Sequence, residues 1–254
     1  LPMLALSAGC RQRIDLPDGD ILLPLRYLPS ATLNKDADTF DYSDARVLYK
    51  SIVARCGFDG RKLTYKGHGS EHLITRDHSR RLAQRQGVEF SARGLAEPSL
   101  ATFQGSFFLT LRSDHSAFVT RGDDGIHFDA VREWTFDDGE ILDSYCTQQH
   151  WATIGSDLYL LYNRPCGDND HVFRHRAPIF IAAVDPDTLQ VIRATERVAI
   201  PENSAAMGNF GICQISENES WVTCGEGMRT GSRKGHTNKV MLAKIVACPG
   251  DGRR

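Results

Sequence analysis

The chain has 254 residues, of which 41% are hydrophobic, enough to bury a core as one large all-β domain or as two smaller ones. Its formal net charge is −2, and its 30 Lys and Arg residues form no block that could follow a phosphate backbone. No apolar run approaches the roughly 20 residues of a bilayer-spanning helix. Composition therefore argues against nucleic-acid and membrane partners.

The first ten residues, LPMLALSAGC, have features of the end of a signal peptide with a lipoprotein-type cysteine. They have no basic region and no initiator Met, so a start inside a domain is the better interpretation. The seven cysteines are an odd number and contain no CxxC pair, which argues against zinc and redox chemistry. The sequence leaves undecided whether one or two disulfides form, and it predicts no metal or cofactor.

Four segments share one design, in which an alternating strand, a tight polar turn and a second apolar strand end in a charged residue. In chain order they are residues 13–26, 98–112, 150–164 and 211–226. Further strand-like sequence follows each of them, at residues 47–54, 117–121, 179–184 and 240–246, with more polar fourth strands at 62–66 and 189–198. Such repeated four-stranded units are typical of β-propeller blades.

The sequence thus predicts an all-β fold, a propeller of four-stranded antiparallel blades. Residues 1–254 would form a single domain of about four to five blades, incomplete at its N-terminus. The polar, Arg-rich stretch 72–86 is predicted to be a long surface loop with room for one helical turn. The charged residue that closes each hairpin is a candidate for a central pocket or, alternatively, a solvated strand end.

Three local patterns resemble the sialidase (neuraminidase) superfamily of six-bladed propellers. Glu97 precedes Arg112 by 112 − 97 = 15 residues, with Gly105 between them. Arg176 begins a later strand in the run HRAPIF. Residues 121–128, RGDDGIHF, match a degenerate Asp-box whose opening Ser and closing Trp are altered.

The resemblance implies an acidic sugar, sialic or uronic, whose carboxylate is bound by Arg112 and Arg176 through paired hydrogen bonds. Glu226 has the position of the family's activating Glu, 226 − 210 = 16 residues after Phe210. The nucleophilic Tyr of the family is absent from the corresponding segment, residues 207–211, and no residue matches the first arginine or the acid/base Asp. Sialidase chemistry of the standard kind is therefore not expected.

Histidine is the candidate replacement for the missing Tyr. His150, His171 and His175 fall within 26 residues near predicted strand starts, and imidazole titrates near neutral pH. Tyr145 or Tyr162 could protonate a leaving oxygen, although strand aromatics are the simpler interpretation. The acidic loop GDNDH at 167–171 could bind calcium or form only a turn.

Three functions fit these residues: a glycoside hydrolase for an acidic sugar, a uronate lyase that uses His and Arg, and a non-catalytic carbohydrate-binding propeller. The predicted catalytic residues are Glu97, His150, His175 and Glu226. The predicted substrate-binding residues are Arg112, Arg176, Gln149, His171 and Asn209. An acidic oligosaccharide is the expected partner, and family resemblance favours a secreted or periplasmic protein. Glu97, Arg112, His150, Arg176 and Glu226 are predicted to converge at one end of the channel.

Overall fold

The computed structural model describes residues 3–9, 12–29, 48–90, 93–227 and 238–247. The chain divides into two compact units. The N-terminal unit comprises residues 1–134 and 141–149, and the C-terminal unit comprises residues 135–140 and 150–254. Each unit contains two antiparallel β-sheets, which confirms the all-β prediction. The single-domain prediction for residues 1–254 stays a prediction.

Two sheets form the N-terminal unit. The first contains β1 (Met3–Ser7), β2 (Ile14–Asp15), β3 (Asp20–Pro29), β4 (Lys50–Phe58) and β5 (Leu63–His68). Its strand order is β1-β3-β4-β5, with β2 also paired to β3. The second has the order β6-β7-β8-β9, with β6 (Ala96–Phe103), β7 (Ser106–Arg112), β8 (Ala117–Gly122) and β9 (Arg132–Glu133).

The central strand β3 is buried on both faces, which explains its nearly continuous apolar sequence. Leu22 joins a core cluster that includes Val53 of β4 and Leu109 of β7. Leu25 packs in a separate cluster with Ile52. Because alternate residues of a strand point to opposite faces, a strand covered on both faces reads as an apolar run and not as an alternation.

The prediction of a loop at 72–86 is wrong, because this stretch contains α1 (Arg76–Gln86). Thr75 caps the helix by accepting a hydrogen bond from the backbone N–H of His78, and left-handed Gly87 ends it. Leu82 and Ala83 are the apolar residues that the helix buries. Two buried apolar residues among arginines give too weak a 3.6-residue period for detection from sequence.

The C-terminal unit also contains two sheets. The first has the order β10-β11-β12-β13, with β14 also paired to β12, and contains β10 (His150–Ile154), β11 (Asp157–Tyr162), β12 (Ile179–Asp185), β13 (Gln190–Val191) and β14 (Arg197–Ile200). The second has the order β15-β16-β17, with β15 (Phe210–Ser216), β16 (Glu219–Gly225) and β17 (Val240–Val246). One cluster that includes Ile181, Met207 and Val222 forms the core of this unit.

All four predicted hairpins are confirmed as the antiparallel pairs β2/β3, β6/β7, β10/β11 and β15/β16. The third strands predicted after them correspond to β4, β8, β12 and β17. Cys56, Cys146, Cys166, Cys213 and Cys224 are free thiols, while Cys10 and Cys248 lie outside the described residues. No helix in the described part of the chain is long and apolar enough to cross a membrane.

Candidate functional site

Arg112 and Glu97 form an ion pair in the N-terminal unit. Arg112 Nη1 donates to Glu97 Oε1 at 2.5 Å, and the Arg112 side chain is buried. A β-bulge between Ala96 and Ser99 contains Glu97 in a left-handed conformation (φ 46°). Pro98 lies in this bulge and has no N–H to donate to the ladder, which accounts for the local break in pairing.

A second ion pair lies beside the first. Arg93 Nε donates to Asp114 Oδ1 at 2.8 Å, and the Arg93 backbone N–H donates to Asp114 Oδ2 at 2.9 Å. The Cys146 sulfur bridges the two arginines, at 3.2 Å from Arg93 Nη2 and 3.4 Å from Arg112 Nη2. Three chain segments therefore build one compact charged cluster in this unit.

Arg26, in the C-terminal half of β3, completes this group. A small open cleft is lined by Arg26, Arg93, Gly94, Ala96, Arg112, Ser113 and Asp114. The guanidinium of Arg26 stacks on the Tyr49 ring at 4.7 Å from its centroid. We call the cleft with its three arginines and with Glu97 and Asp114 the arginine cleft. It has three positive and two negative side chains.

The electrostatics of the arginine cleft favour the charged forms of Arg112 and Asp114. Burial alone would lower the pKa of Arg112, but the carboxylate of Glu97 outweighs it and raises that pKa. Burial alone would raise the pKa of Asp114, whereas the hydrogen bonds and charge of Arg93 lower it below its ordinary value. The cleft can therefore offer guanidinium N–H groups to an anionic ligand at neutral pH.

Gln149 belongs to a buried network in the same unit. Its Nε2 donates to Ser144 Oγ at 3.0 Å and to the Thr147 carbonyl at 2.7 Å. Thr110 Oγ1 receives the indole N–H of Trp134 at 2.9 Å and donates to Gln149 Oε1 at 3.5 Å. The protein itself uses this amide, and substrate binding by Gln149 stays a prediction.

The degenerate Asp-box forms a turn directly after β8. Asp124, and not Asp123 at the motif position, accepts hydrogen bonds from the backbone N–H groups of Ile126 and His127, at 3.0 and 2.7 Å. Gly125 is left-handed (φ 79°), and a Cβ there would lie 2.4 Å from Leu22 Cδ1. The turn therefore packs against the first sheet, which is a structural role.

In the C-terminal unit, the loop 201–209 forms hydrogen bonds with three predicted site residues, Arg176, Glu226 and His171. The Met207 N–H donates to the Arg176 carbonyl at 2.6 Å. Asn203 Nδ2 donates to Glu226 Oε1, and Glu226 Oε2 also accepts the Lys239 N–H at 3.1 Å. Arg176 and Glu226 are both buried.

The same loop supplies Glu202, whose Oε1 lies 2.9 Å from His171 Nε2. His175 forms a separate pair, with its Nε2 at 3.1 Å from Asp170 Oδ1. Arg174 and His175 are consecutive left-handed residues (φ 55° and 51°). Two such non-glycine residues in succession are uncommon, and strained backbone of this kind is concentrated at functional sites.

The remaining predicted residues of this unit occupy different settings. His150 is buried and packs edge-to-face on Phe210, with 5.2 Å between ring centroids. The side chain of Asn209 is exposed. Tyr162 is fully buried and donates to Glu196 Oε2 at 2.5 Å, while Arg164 Nε donates to the same oxygen at 2.9 Å. The Tyr162 hydroxyl is therefore part of a core network.

Sequence reasoning missed Arg93, Asp114, Cys146, Glu202 and Asn203. None of them closes a hairpin, and each comes from a segment between strands. The hairpin pattern did signal Arg26, as the charged residue that closes the predicted hairpin 13–26, although β3 continues to Pro29. Within the described ranges, no group of three or more His, Cys, Asp or Glu side chains is arranged to hold a metal ion.

Several solved structures with similar folds are carbohydrate-processing enzymes. Trypanosoma rangeli sialidase in complex with the inhibitor DANA matches 96% of this chain with a TM-score of 0.54 at 12% identity. The chain has the sialidase-like β-propeller fold. It covers 32% of that sialidase chain, or about a third of its length. At 12% identity, this similarity establishes the propeller fold and not the reaction.

Two further propellers extend the comparison. A Bombyx mori GH32 β-fructofuranosidase matches 91% of this chain and 47% of its own, with a TM-score of 0.53 at 12% identity. The β-1,2-mannobiose phosphorylase from Listeria innocua matches 94% of this chain and 71% of its own, with a TM-score of 0.51 at 12% identity. No protein-family model matches the sequence, and no curated protein sequence is significantly similar to it.

Proposed function

We propose that the chain is part of a carbohydrate-active enzyme that cleaves glycosidic bonds at an acidic sugar, with glycoside hydrolysis as the first candidate reaction. The observation that carries the proposal is the arginine cleft, where the guanidiniums of Arg93 and Arg112 lie on either side of one sulfur atom. Paired guanidiniums form strong, directional hydrogen bonds with carboxylates. Glycosidases among the fold neighbours support a sugar as the ligand.

The charge of the cleft favours an anion over a neutral sugar. Its two carboxylates neutralise two of the three arginines, which leaves a net charge of +1 among these five side chains. Arg26 has no salt-bridge partner among the described residues, and its Nε donates no hydrogen bond there. A sugar carboxylate would supply the missing counter-charge.

The binding test compares sugars that differ only in the carboxylate. Calorimetry with glucuronate and galacturonate, and with glucose and galactose as neutral counterparts, should detect binding of the acids alone. Arg112→Lys should weaken that binding at least tenfold, because Lys lacks the planar fork. Arg13→Lys, at an exposed ion pair with Asp15, is the matched control. Equal affinity for acids and neutral sugars would contradict the proposal.

Elimination at a uronate is a second candidate, because the C-terminal unit carries two His–carboxylate pairs on the segment that leads to Arg176. Elimination needs a cation for the uronate carboxylate and a base for the proton at C5. Incubation with polygalacturonate, alginate and a sialyl-oligosaccharide distinguishes the reactions. New reducing ends without ultraviolet absorbance indicate hydrolysis, absorbance from an unsaturated sugar indicates elimination, and binding without products indicates a carbohydrate-binding propeller.

A further inference from the structure

His171 and Glu202 form the most shielded His–carboxylate pair in the described part of the chain. Their side chains are 17% and 28% exposed, and 2.9 Å separates His171 Nε2 from Glu202 Oε1. The pair of His175 includes a carboxylate that is 86% exposed, and both partners of the His127–Asp124 pair are more than half exposed. Water therefore weakens the coupling in the other two pairs more than in this one.

The Glu202 carboxylate determines which nitrogen of His171 is available for chemistry. A neutral imidazole carries one N–H, and a carboxylate beside Nε2 holds the proton there. No other group within the described ranges forms a hydrogen bond with the ring. Nδ1 is therefore the nitrogen with the lone pair, and it can accept a proton.

Both members of the pair are held by the backbone around them. Glu202 Oε1 also accepts the backbone N–H of Ser204, a residue in the left-handed conformation (φ 73°). On the His171 side, buried Asn169 donates through Nδ2 to the Arg164 carbonyl at 2.9 Å and to the Ala177 carbonyl at 2.7 Å. These bonds tie together the two ends of the segment that carries His171.

Arg176 lies on the same segment, five residues after His171. The 3₁₀ turn Phe173–His175 separates them, and the Arg176 carbonyl accepts the Met207 N–H from the loop that also carries Glu202. One folded unit thus combines an oriented imidazole with a buried guanidinium. A base and a cation of this kind are what abstraction of a proton next to a carboxylate requires.

We propose that His171 is the general base of a β-elimination on uronate-containing glycans, and that Glu202 is the positioning residue that fixes its tautomer. This rests on the acidic-sugar function proposed above. Nδ1 takes the proton from C5, and the C–H electron pair forms the C4–C5 double bond. The C4–O bond breaks with its electron pair on the leaving oxygen, which takes a proton from water. The resulting hydroxide recovers the proton from His171.

The tautomer can be measured without a substrate. In ¹⁵N NMR spectra of the imidazole nitrogens at a pH where His171 is neutral, we expect the Nε2–H form in the wild type. Glu202→Ala should allow both tautomers. A predominant Nδ1–H tautomer in the wild-type protein would overturn the proposal, whatever activity is found.

Turnover of polygalacturonate and alginate, followed by the absorbance of the unsaturated product, tests the base itself. His171→Asn should lower kcat about 10²- to 10⁴-fold with little change in KM. Glu202→Gln should cause a smaller loss, also in kcat. His127→Asn removes another His–carboxylate pair, with 2.6 Å between His127 Nδ1 and Asp124 Oδ2, and should leave turnover unchanged.

The outcomes separate this proposal from the acidic-sugar function. Elimination by His171→Asn at the wild-type rate would overturn the role of His171 alone. Hydrolysis without elimination would overturn the proposed role of the His171–Glu202 pair and leave hydrolysis, the first candidate reaction, in place. An absence of both cleavage and carboxylate binding would reject the acidic-sugar function together with the proposed role of His171 and Glu202.

Discussion

Arg112 Nη1 donates to Glu97 Oε1 at 2.5 Å across a β-bulge, so the two residues whose 15-residue spacing pointed to a sugar site are in direct contact. The bulge matters because it inserts an extra residue opposite β7 and redirects the Glu97 side chain. In the same unit Arg93 and Cys146 complete the charged cluster.

Glu97→Gln should lower the free energy of unfolding by about 1–3 kcal/mol, because it leaves the buried guanidinium of Arg112 without its counter-charge. Urea denaturation at neutral pH measures this change. Asp15→Asn, which breaks the exposed pair with Arg13, should change stability by less than about 0.5 kcal/mol. Equal effects of the two substitutions would show that burial of Arg112 does not matter.

Asp114 should make the N-terminal unit sensitive to acid. The pKa of Asp114 in the folded protein lies below the ordinary value of 3.8. Asp114 therefore adds to the free energy of unfolding above pH 3.8, and this contribution is lost as the pH falls through the folded-state pKa. Asp114→Asn should remove about 2 kcal/mol at neutral pH and flatten the stability profile below about pH 4. Urea denaturation from pH 7 to pH 3 tests this, and an unchanged acid slope would contradict it.

His72 should destabilise the fold over a higher pH range. Burial lowers its pKa to about 4 from 6.5, and its Nε2 has no hydrogen-bond partner among the described groups. Between about pH 6.5 and pH 4 the imidazole of His72 is therefore protonated in the unfolded chain and neutral in the folded chain. The free energy of unfolding falls as the pH drops through this range. The loss should approach about 3 kcal/mol. His72→Gln should abolish this slope, and its persistence would assign the effect to another group.

Gly125→Ala should destabilise the turn after β8 more than Gly60→Ala destabilises the turn after β4. Both glycines are left-handed (φ 79° and 89°), so both substitutions introduce similar backbone strain. Only the Cβ at position 125 meets neighbours, with Leu22 Cδ1 at 2.4 Å, while the site at 60 has nothing within 4 Å. The difference should be about 1–3 kcal/mol in thermal or urea unfolding. Similar values for both variants would contradict the packing argument.

The hairpins and most strands follow from the local sequence, because strand geometry repeats every two residues and so matches the alternation of apolar and polar residues. The strand pattern predicted β7 and β17 almost to the residue, and the resemblance assigned Glu97 and Arg112 to one site. The sequence pattern failed at α1, where two buried residues among arginines left little periodic signal.

Which charged side chains meet depends on tertiary contacts. Arg93, Asp114 and Cys146 come from three separate segments, and their contacts depend on the paths of connections that no periodicity describes. The pairing of His171 with Glu202 likewise depends on loops with left-handed residues at non-glycine positions. Packing around a loop selects such conformations against local preference, so they cannot be read from local sequence.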